Sequence, residues 1–222
     1  PSYPLMASID GARDFMEQEG RICLEKALEL SREYKPRLDR IQGIRCYGDE
    51  LLKIPSVKAI DPLKVLIGVR ELSLNGYQVS RILREEYHIQ VEMQDENLIL
   101  AMFSLLHRRA DWEQLYLAMH ELAGRYRVAH TVPDPICTPP SPPVVLSPRQ
   151  AFLSPVVRIK LDECRGRVCA ELVAAYPPGI PCLVPGELIN EEIWDYLYYL
   201  KQTGACLQGP EDPDLEYIKV IE

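Results

Sequence analysis

The sequence predicts an α/β protein with a long N-terminal helix, a small sheet with helices on one face, and a C-terminal α/β segment after a proline-rich linker. Three observations support this fold class. From Leu5 to Ile41 apolar residues recur every three or four positions, which is the spacing of one helical face. Short apolar runs then alternate with amphipathic stretches, as in strands separated by helices. Seven prolines between Pro133 and Pro148 divide the chain into two such regions.

The N-terminal pattern predicts a bridging helix within residues 1–45. About thirty helical residues would span about 45 Å, at roughly 1.5 Å per residue. Gly20 and Pro36 interrupt the pattern, so we expect a kink near the first and an end or restart at the second. Helices of this length often connect two domains, and Pro1–Pro4 resembles neither an initiator sequence nor a tag. We therefore expect the chain to be part of a longer protein.

Residues 46–132 are predicted to form a small α/β domain. Apolar density and periodicity predict strands at 63–69 and 98–103 and helices at 77–87 and 111–126, with a turn or helix entry at Asn75-Gly76. Alternation of this kind favours a sheet with the helices on one face.

The linker at 133–148 contains too many prolines for regular structure and favours an extended, polyproline-like connection. We interpret it as an internal crossover, with a ligand for a proline-binding module as the alternative. Beyond it, residues 149–222 are predicted to form an α/β segment. The predicted elements are a helix capped by Ser147, strands at 156–161, 168–175 and 215–221, a turn at Arg165-Gly166, and a helix from Asn190 to Gly204.

The densest turn signal lies at residues 176–187, where four prolines and two glycines occur in twelve residues. Such a stretch is expected to be a shaped loop, because proline and glycine are poorly tolerated in helix interiors and central strands. It ends in Glu187. A carboxylate on a stiff loop suits recognition of an ammonium or guanidinium group. It would equally suit a cap of the following helix, and the residues by themselves leave both interpretations open.

Composition excludes several classes of function. The net charge of −8 argues against nucleic acid or an anionic membrane surface as the main partner. No apolar run reaches the roughly 18 residues of a membrane span, and the N-terminus lacks a signal-peptide pattern. Seven scattered cysteines without a Cys-x-x-Cys pair indicate reduced packing thiols rather than disulfides or a zinc site. We expect a soluble, cytoplasmic protein.

Catalytic motifs are missing from the sequence. It contains no dinucleotide or nucleotide phosphate loop, no His-Glu-x-x-His and no Gly-x-Ser-x-Gly. The four histidines are scattered, and no lysine lies in a setting that marks a Schiff-base former. We therefore predict no catalytic and no metal-binding residue within this chain.

Several segments, taken in order, carry a family resemblance. They are 1–10, Asp61-Pro62, Gly76-Tyr77, 146–152 (Leu-Ser-Pro-Arg-Gln-Ala-Phe), 166–171 (Gly-Arg-Val-Cys-Ala-Glu) and 176–187 (Tyr-Pro-Pro-Gly-Ile-Pro followed by Cys-Leu-Val-Pro-Gly-Glu). Together they resemble the short form of the bacterial-type ornithine/lysine/arginine decarboxylases, which are fold type I pyridoxal-phosphate enzymes. The resemblance is most specific at residues 176–187.

The resemblance implies a division of labour between two domains. The family's large domain, which holds pyridoxal 5'-phosphate and the Schiff-base lysine, would precede Pro1 and be the chain's main partner. The cofactor-phosphate region would lie just before Pro1, with Ser2 as the candidate residue of this chain. Residues 1–45 would bridge from that domain, 46–132 would be the α+β small domain, and 149–222 would complete it and form one wall of the active site.

The resemblance also implies site residues and a function. Glu187 would bind the distal cationic group of a basic amino acid, and Tyr176, Pro178, Gly179 and Ile180 would shape the pocket wall. The intact enzyme, a homodimer or higher homo-oligomer, would decarboxylate arginine, lysine or ornithine in polyamine biosynthesis, with arginine favoured by the short family form. The chain alone would be inactive. The alternatives are a non-catalytic regulatory module that associates with a full-length decarboxylase, and an α/β domain without any ligand.

Overall fold

A computed structural model describes residues 2–128, 139–177 and 179–222. The chain divides into two compact units. The first contains described residues 2–93 and 97–128, and the second contains 94–96, 139–177 and 179–222. The expected roles of 1–45 as a bridge and of 149–222 as the completion of the small domain stay predictions.

Two consecutive helices replace the predicted single N-terminal helix: α1 (Tyr3–Gln18) and α2 (Gly20–Asp39). The break falls at Glu19, next to Gly20, which confirms the expected kink there. The expectation for Pro36 was wrong, because α2 continues through it and ends at Asp39. Pro36 lies in the last turn of α2. Its missing amide removes one hydrogen bond, but the helix ends before any further turn could be disrupted.

The first unit contains a four-stranded sheet in the order β1-β2-β4-β3. Its strands are β1 (Arg45–Tyr47), β2 (Lys64–Gly68), β4 (Leu98–Met102) and the two-residue β3 (Met93–Gln94), of which Met93 belongs to this unit. The unit also contains α3 (Gly76–Tyr87), α4 (Arg109–Tyr126) and a short 3-10 helix (Asp49–Lys53). The predicted strands β2 and β4 and helices α3 and α4 are confirmed. Asn75 caps α3 in a capping box: the Asn75 side chain accepts a hydrogen bond from the Gln78 amide, and the Gln78 side chain accepts one from the Asn75 amide.

Strand register explains why the helices cover one face of this sheet. The antiparallel pairing places Val65 opposite Ala101 and Ile67 opposite Ile99, so alternate residues of β2 and β4 point to the same side. These side chains are buried in one cluster with residues of α2, α3 and α4, among them Tyr34, Leu38, Leu83, Trp112 and Leu122. The predicted helix layer is therefore confirmed.

The second unit has its own core and two small sheets. Its elements are α5 (Pro148–Leu153), β5 (Val156–Lys160), a 3-10 helix (Leu161–Glu163), β6 (Val173–Ala175), β7 (Ile180–Leu183), α6 (Glu191–Thr203), β8 (Leu207–Gln208) and β9 (Tyr217–Ile221). Strand β5 pairs with β9, and the other sheet has the order β7-β6-β8. The inner face of α6 packs into a buried cluster with residues such as Leu183, Ile189, Ile218 and Val220.

Local signals in this region predicted the helix ends correctly. Ser147 caps α5 with a capping box, Asn190 caps α6 through the Ile193 amide at 3.0 Å, and α6 ends at Gly204 with φ 70°. In the linker, described residues 139–143 adopt no helix or strand, as expected. Its earlier residues, 133–138, lie outside the described part of the chain.

The predicted strand at 168–175 is shorter than expected. Val168 and Cys169 form only isolated bridges, and the strand begins at Val173. The chain leaves the strand path at Glu171, whose buried carboxylate accepts hydrogen bonds from the Glu211 and Lys219 amides, both at 2.8 Å. Because those amides lie on other segments, the sequence around Glu171 does not reveal the interruption.

None of the described helices is both long and apolar enough to cross a membrane.

Candidate functional site

The stretch predicted as a shaped loop is a β-hairpin followed by a tight turn. Strand β7 pairs antiparallel with β6, with a bulge between Val173 and Ala174 and with Pro181 opposite Ala174. The expectation of a loop throughout was wrong at β7, whereas the exclusion of a central strand holds. Strand β7 lies at the edge of its sheet, so the missing amide of Pro181 costs no hydrogen bond to a further strand.

Main-chain contacts fix the hairpin turn. The Tyr176 amide donates to the Cys206 carbonyl at 2.8 Å, and the Gly179 amide donates to the Ala175 carbonyl at 3.0 Å. Gly179 has φ +82°, and a side-chain carbon there would lie 3.3 Å from the Tyr176 ring. The backbone conformation therefore favours glycine here, and the Tyr176 ring packs close over it.

Of the predicted wall residues, Tyr176 and Gly179 lie in this turn, and Ile180 begins β7. Tyr176 is 39% exposed and Ile180 is 67% exposed, so both present apolar surface that a ligand or another domain could cover. Pro178 lies outside the described residues. The assignment of these residues to a pocket wall stays a prediction.

Glu187 ends a four-residue turn that begins at Val184. Its Oε2 accepts a hydrogen bond from the Val184 amide at 2.8 Å, and its own amide donates to the Val184 carbonyl at 3.2 Å. The side chain is half-buried, and within the described part of the chain Oε1 accepts no hydrogen bond. One carboxylate oxygen is therefore held by the turn and the other remains available.

The alternative role of Glu187 as cap of the following helix is wrong. Helix α6 begins at Glu191, and the side chain of Asn190 supplies its cap. The Glu187 carboxylate satisfies an amide of its own turn instead.

The main chain around Glu187 is bonded on both sides. On one side, the Cys169 amide donates to the Glu187 carbonyl and the Gly186 amide donates to the Cys169 carbonyl, each at 2.8 Å. On the other side, the end of the proline-rich linker pairs with the turn, and Val144 lies directly opposite Glu187. Residues 186–188 thus form the middle of a short three-segment ladder. No pattern in the sequence indicated that the linker reaches this turn.

The thiols of Cys169 and Cys182 are buried. Burial raises the pKa of Cys169 to about 12 and that of Cys182 to about 11, so both stay protonated at neutral pH. The Cys182 thiol donates to the Val173 carbonyl at 3.3 Å. The six described cysteines are free, and the packing role predicted for most of them is confirmed for the buried Cys46, Cys164, Cys169 and Cys182. Cys23 is half-buried and Cys206 is exposed, and Cys137 lies outside the described residues.

Ser2 precedes α1 in the first unit. Its side chain makes no capping hydrogen bond, and its carbonyl accepts the Met6 amide at 3.1 Å. Its assignment to a cofactor-phosphate region stays a prediction. Over the described residues, no group of three or more His, Cys, Asp or Glu side chains is placed to hold a metal ion.

A separate cavity of about 560 Å³ in the first unit would prefer an anionic ligand, whereas Glu187 would prefer a cationic one. Its lining includes Arg37, Arg40, His120 and Arg127 and no carboxylate. Such a cavity is unsuited to a cationic ligand, because like charges repel. It leaves the turn at Glu187 as the better place for an ammonium or guanidinium group.

Comparison with known proteins identifies the second unit. Residues 136–212 match the family model described as Orn/Lys/Arg decarboxylase, C-terminal domain. The whole chain is 38% identical over 224 residues to the arginine decarboxylase of Bacillus subtilis (strain 168), and covers 46% of it. It is 33% identical over 223 residues to the arginine decarboxylase of Halalkalibacterium halodurans, and covers 45% of that protein. The chain thus spans less than half the length of these curated relatives.

Solved structures show the same fold. The constitutive lysine decarboxylase of E. coli superimposes with a TM-score of 0.70 at 18% identity, covering 100% of this chain and 44% of that one. The Francisella novicida lysine decarboxylase gives a TM-score of 0.67 at 22% identity, with 100% and 43% covered. These structures show the fold alone; the family model and the match of the whole chain to the arginine decarboxylases identify it as a C-terminal portion of a protein of the Orn/Lys/Arg decarboxylase family.

Proposed function

We propose that this chain is the C-terminal part of a cytoplasmic, pyridoxal-phosphate-dependent decarboxylase of basic amino acids in polyamine biosynthesis, and that it recognises the substrate side chain through Glu187. The observation that carries the proposal is the arrangement of the Glu187 carboxylate, with Oε2 held by the Val184 amide at 2.8 Å and Oε1 available. Family membership supplies the chemical context.

Entropy and charge both favour the binding of a cation by the Glu187 carboxylate. A carboxylate that is already fixed by its turn loses little conformational freedom when it meets a cation. Hydrogen bonds between ionised partners are roughly twice as strong as neutral ones, and half-burial of Glu187 protects the contact from screening. Tyr176 and Ile180 would cover the aliphatic part of the substrate with apolar surface.

Pyridoxal phosphate itself does not fit the described residues of the second unit. The cofactor needs an enclosed lysine amine, yet Lys201 pairs with Glu216 at 2.8 Å and Lys219 pairs with Glu211. Lys160 is exposed on β5. From the family relatives we propose that the cofactor and the bond-breaking chemistry belong to a large domain beyond this chain, and we expect the chain to be inactive alone.

The surface of α1 supports a partner domain. No residue of α1 is buried, and large apolar side chains are exposed along it, including Tyr3 at 78%, Leu5 at 64% and Ile9 at 69%. A helix that leaves so much apolar surface in water is typical of an interface. We propose that the large domain covers this surface and that the intact enzyme is a homodimer or higher homo-oligomer.

Arginine is the substrate that we favour among arginine, lysine and ornithine. The relatives that match the whole chain at 38% and 33% identity are arginine decarboxylases. A guanidinium group can also form a planar, multiply bonded contact with a carboxylate, whereas an ammonium group acts as a point charge.

A decarboxylation assay of the intact protein with all three amino acids tests the proposal. Glu187→Gln keeps the shape of the side chain but removes its charge, so KM for the preferred substrate should rise by at least tenfold, or about 1.4 kcal/mol. Glu192→Gln is the matched control, because Glu192 is an exposed acid at the start of α6. Equal kinetics in the two variants would refute the role of Glu187.

The coding sequence upstream of Pro1 distinguishes the enzyme from the alternative, a regulatory module. An in-frame large domain with a lysine in a Ser-x-His-Lys-like setting supports the enzyme. An initiator codon immediately upstream supports a module that associates with a full-length decarboxylase.

A further inference from the structure

We infer that Pro143, Val145 and Leu146, at the end of the proline-rich segment, position Glu187 through their main-chain atoms and thereby set the length of substrate that the site accepts. This inference rests on the proposed function of Glu187. It assigns to the linker a role in specificity in addition to its role as a connection.

The contact between the two segments is made by the main chain. The Leu188 amide donates to the Pro143 carbonyl at 2.9 Å, while the Val145 and Leu146 amides donate to the Gly186 carbonyl at 2.8 and 2.9 Å. These bonds enclose Glu187 from both sequence directions, because they end on the residue before it and the residue after it.

Steric fit adds to the hydrogen bonds. A side-chain carbon at Gly186 would lie 2.2 Å from the Leu146 carbonyl oxygen, so the two backbones are in direct contact. On the opposite side the Cys169 main chain bonds both Gly186 and Glu187. Since residues 186–188 lie between two bonded neighbours, the Glu187 Cα can shift only if hydrogen bonds on one side break.

The segment contributes little by burying side chains. Val144 is 70% exposed and Val145 is 52% exposed. What these residues provide is therefore the backbone alone, which is the property expected of a positioning segment. With its Cα fixed and Oε2 tied to the Val184 amide, Glu187 presents Oε1 at a fixed reach. A fixed reach discriminates between side chains that differ by one or two methylenes.

Two neighbouring proline substitutions test this in the intact enzyme. Val145→Pro removes an amide that bonds Gly186, whereas Val144→Pro removes an amide that makes no main-chain hydrogen bond among the described residues. Both side chains are exposed, so the variants differ mainly in that one bond. The readouts are kcat and KM for arginine, lysine and ornithine, and hydrogen exchange of the Val184 amide.

Val145→Pro should raise KM for the preferred substrate about fivefold with kcat within about twofold, as loss of one net hydrogen bond implies. It should also narrow the preference among the three amino acids and speed exchange at Val184. Val144→Pro should match the parent in every readout. The same kinetics and exchange in both variants would overturn the inference.

Two further variants keep the outcomes distinct. If Glu187→Gln leaves KM unchanged, the proposed function fails. The hydrogen-exchange rate of the Val184 amide in Val145→Pro would then still show whether the segment positions the turn. If Val145→Pro does not fold, Pro143→Gly replaces it, because that change keeps every hydrogen bond but frees the backbone. Pro143→Gly should speed Val184 exchange, and exchange at the parent rate would count against positioning.

Discussion

Gly186 lies against the carbonyl oxygen of Leu146 so closely that a side-chain carbon at Gly186 would be 2.2 Å from it. Gly186 also has φ +98°, a conformation that other residues adopt only with strain. The junction between the proline-rich segment and the candidate site therefore admits only glycine.

Gly186→Ala should destabilise the second unit by about 2 to 4 kcal/mol, because it combines backbone strain with a main-chain clash. Chemical denaturation measures the change. Gly166→Ala is the matched control: Gly166 has φ +73°, but a side-chain carbon there would meet nothing within 4 Å. It should cost about 1 kcal/mol, from strain alone. Equal losses would show that the contact with Leu146 is unimportant.

Glu171 should be a major contributor to the stability of the second unit. The residue is 8% exposed, and its carboxylate accepts two main-chain hydrogen bonds at 2.8 Å, from Glu211 and Lys219. Glu171→Ala leaves both amides without their acceptor and should cost about 3 kcal/mol by denaturant titration. Glu163→Ala, at an exposed acid on the same unit, should stay within about 0.5 kcal/mol of the parent. A small effect of Glu171→Ala would contradict this role.

The first unit should lose stability in acid through Glu113. Hydrogen bonds from Arg37 and then Tyr34 hold the pKa of Glu113 below its ordinary value of 4.5. A lowered folded-state pKa stabilises the protein above pH 4.5, and this contribution is lost as the pH falls through the folded-state value. Thermal melts between pH 7 and pH 3 should therefore show a falling Tm in the acid range.

Glu113→Gln should flatten that acid dependence, since the amide does not titrate. Glu29→Gln is the control, because Glu29 is exposed and forms no ion pair with the described residues. If Glu113→Gln kept the full acid dependence of the parent, other groups would be responsible.

The described cysteines should differ sharply in how fast their thiols are alkylated. Burial raises the pKa of Cys46, Cys164 and Cys182 to about 11 and that of Cys169 to about 12. In the native protein at pH 8 these thiols should resist alkylation, whereas the exposed Cys206 should react within minutes. Mass spectrometry after iodoacetamide treatment gives the pattern, and denatured protein serves as the fully reactive control. Fast labelling of Cys169 would contradict the packed core.

Much of the fold was predictable because its signals act over one or two turns. Asn75 and Asn190 precede helices and cap them, and the apolar runs of β2 and β4 became buried strands. The prediction of a helix end or restart at Pro36 was wrong because the effect of a proline depends on which turn of the helix it occupies. Pro181 misled because its cost depends on whether its strand has a neighbour on that side.

At the candidate site, the turn and the acidic residue at its end could be predicted from the sequence, because proline and glycine restrict the backbone locally. What holds Glu187 in place became apparent from the folded chain. Its partners at Cys169 and at Pro143–Leu146 are distant in sequence and bond through the main chain. Main-chain hydrogen bonds are available to almost every residue type, so such pairings leave no signature in the sequence until the chain has folded.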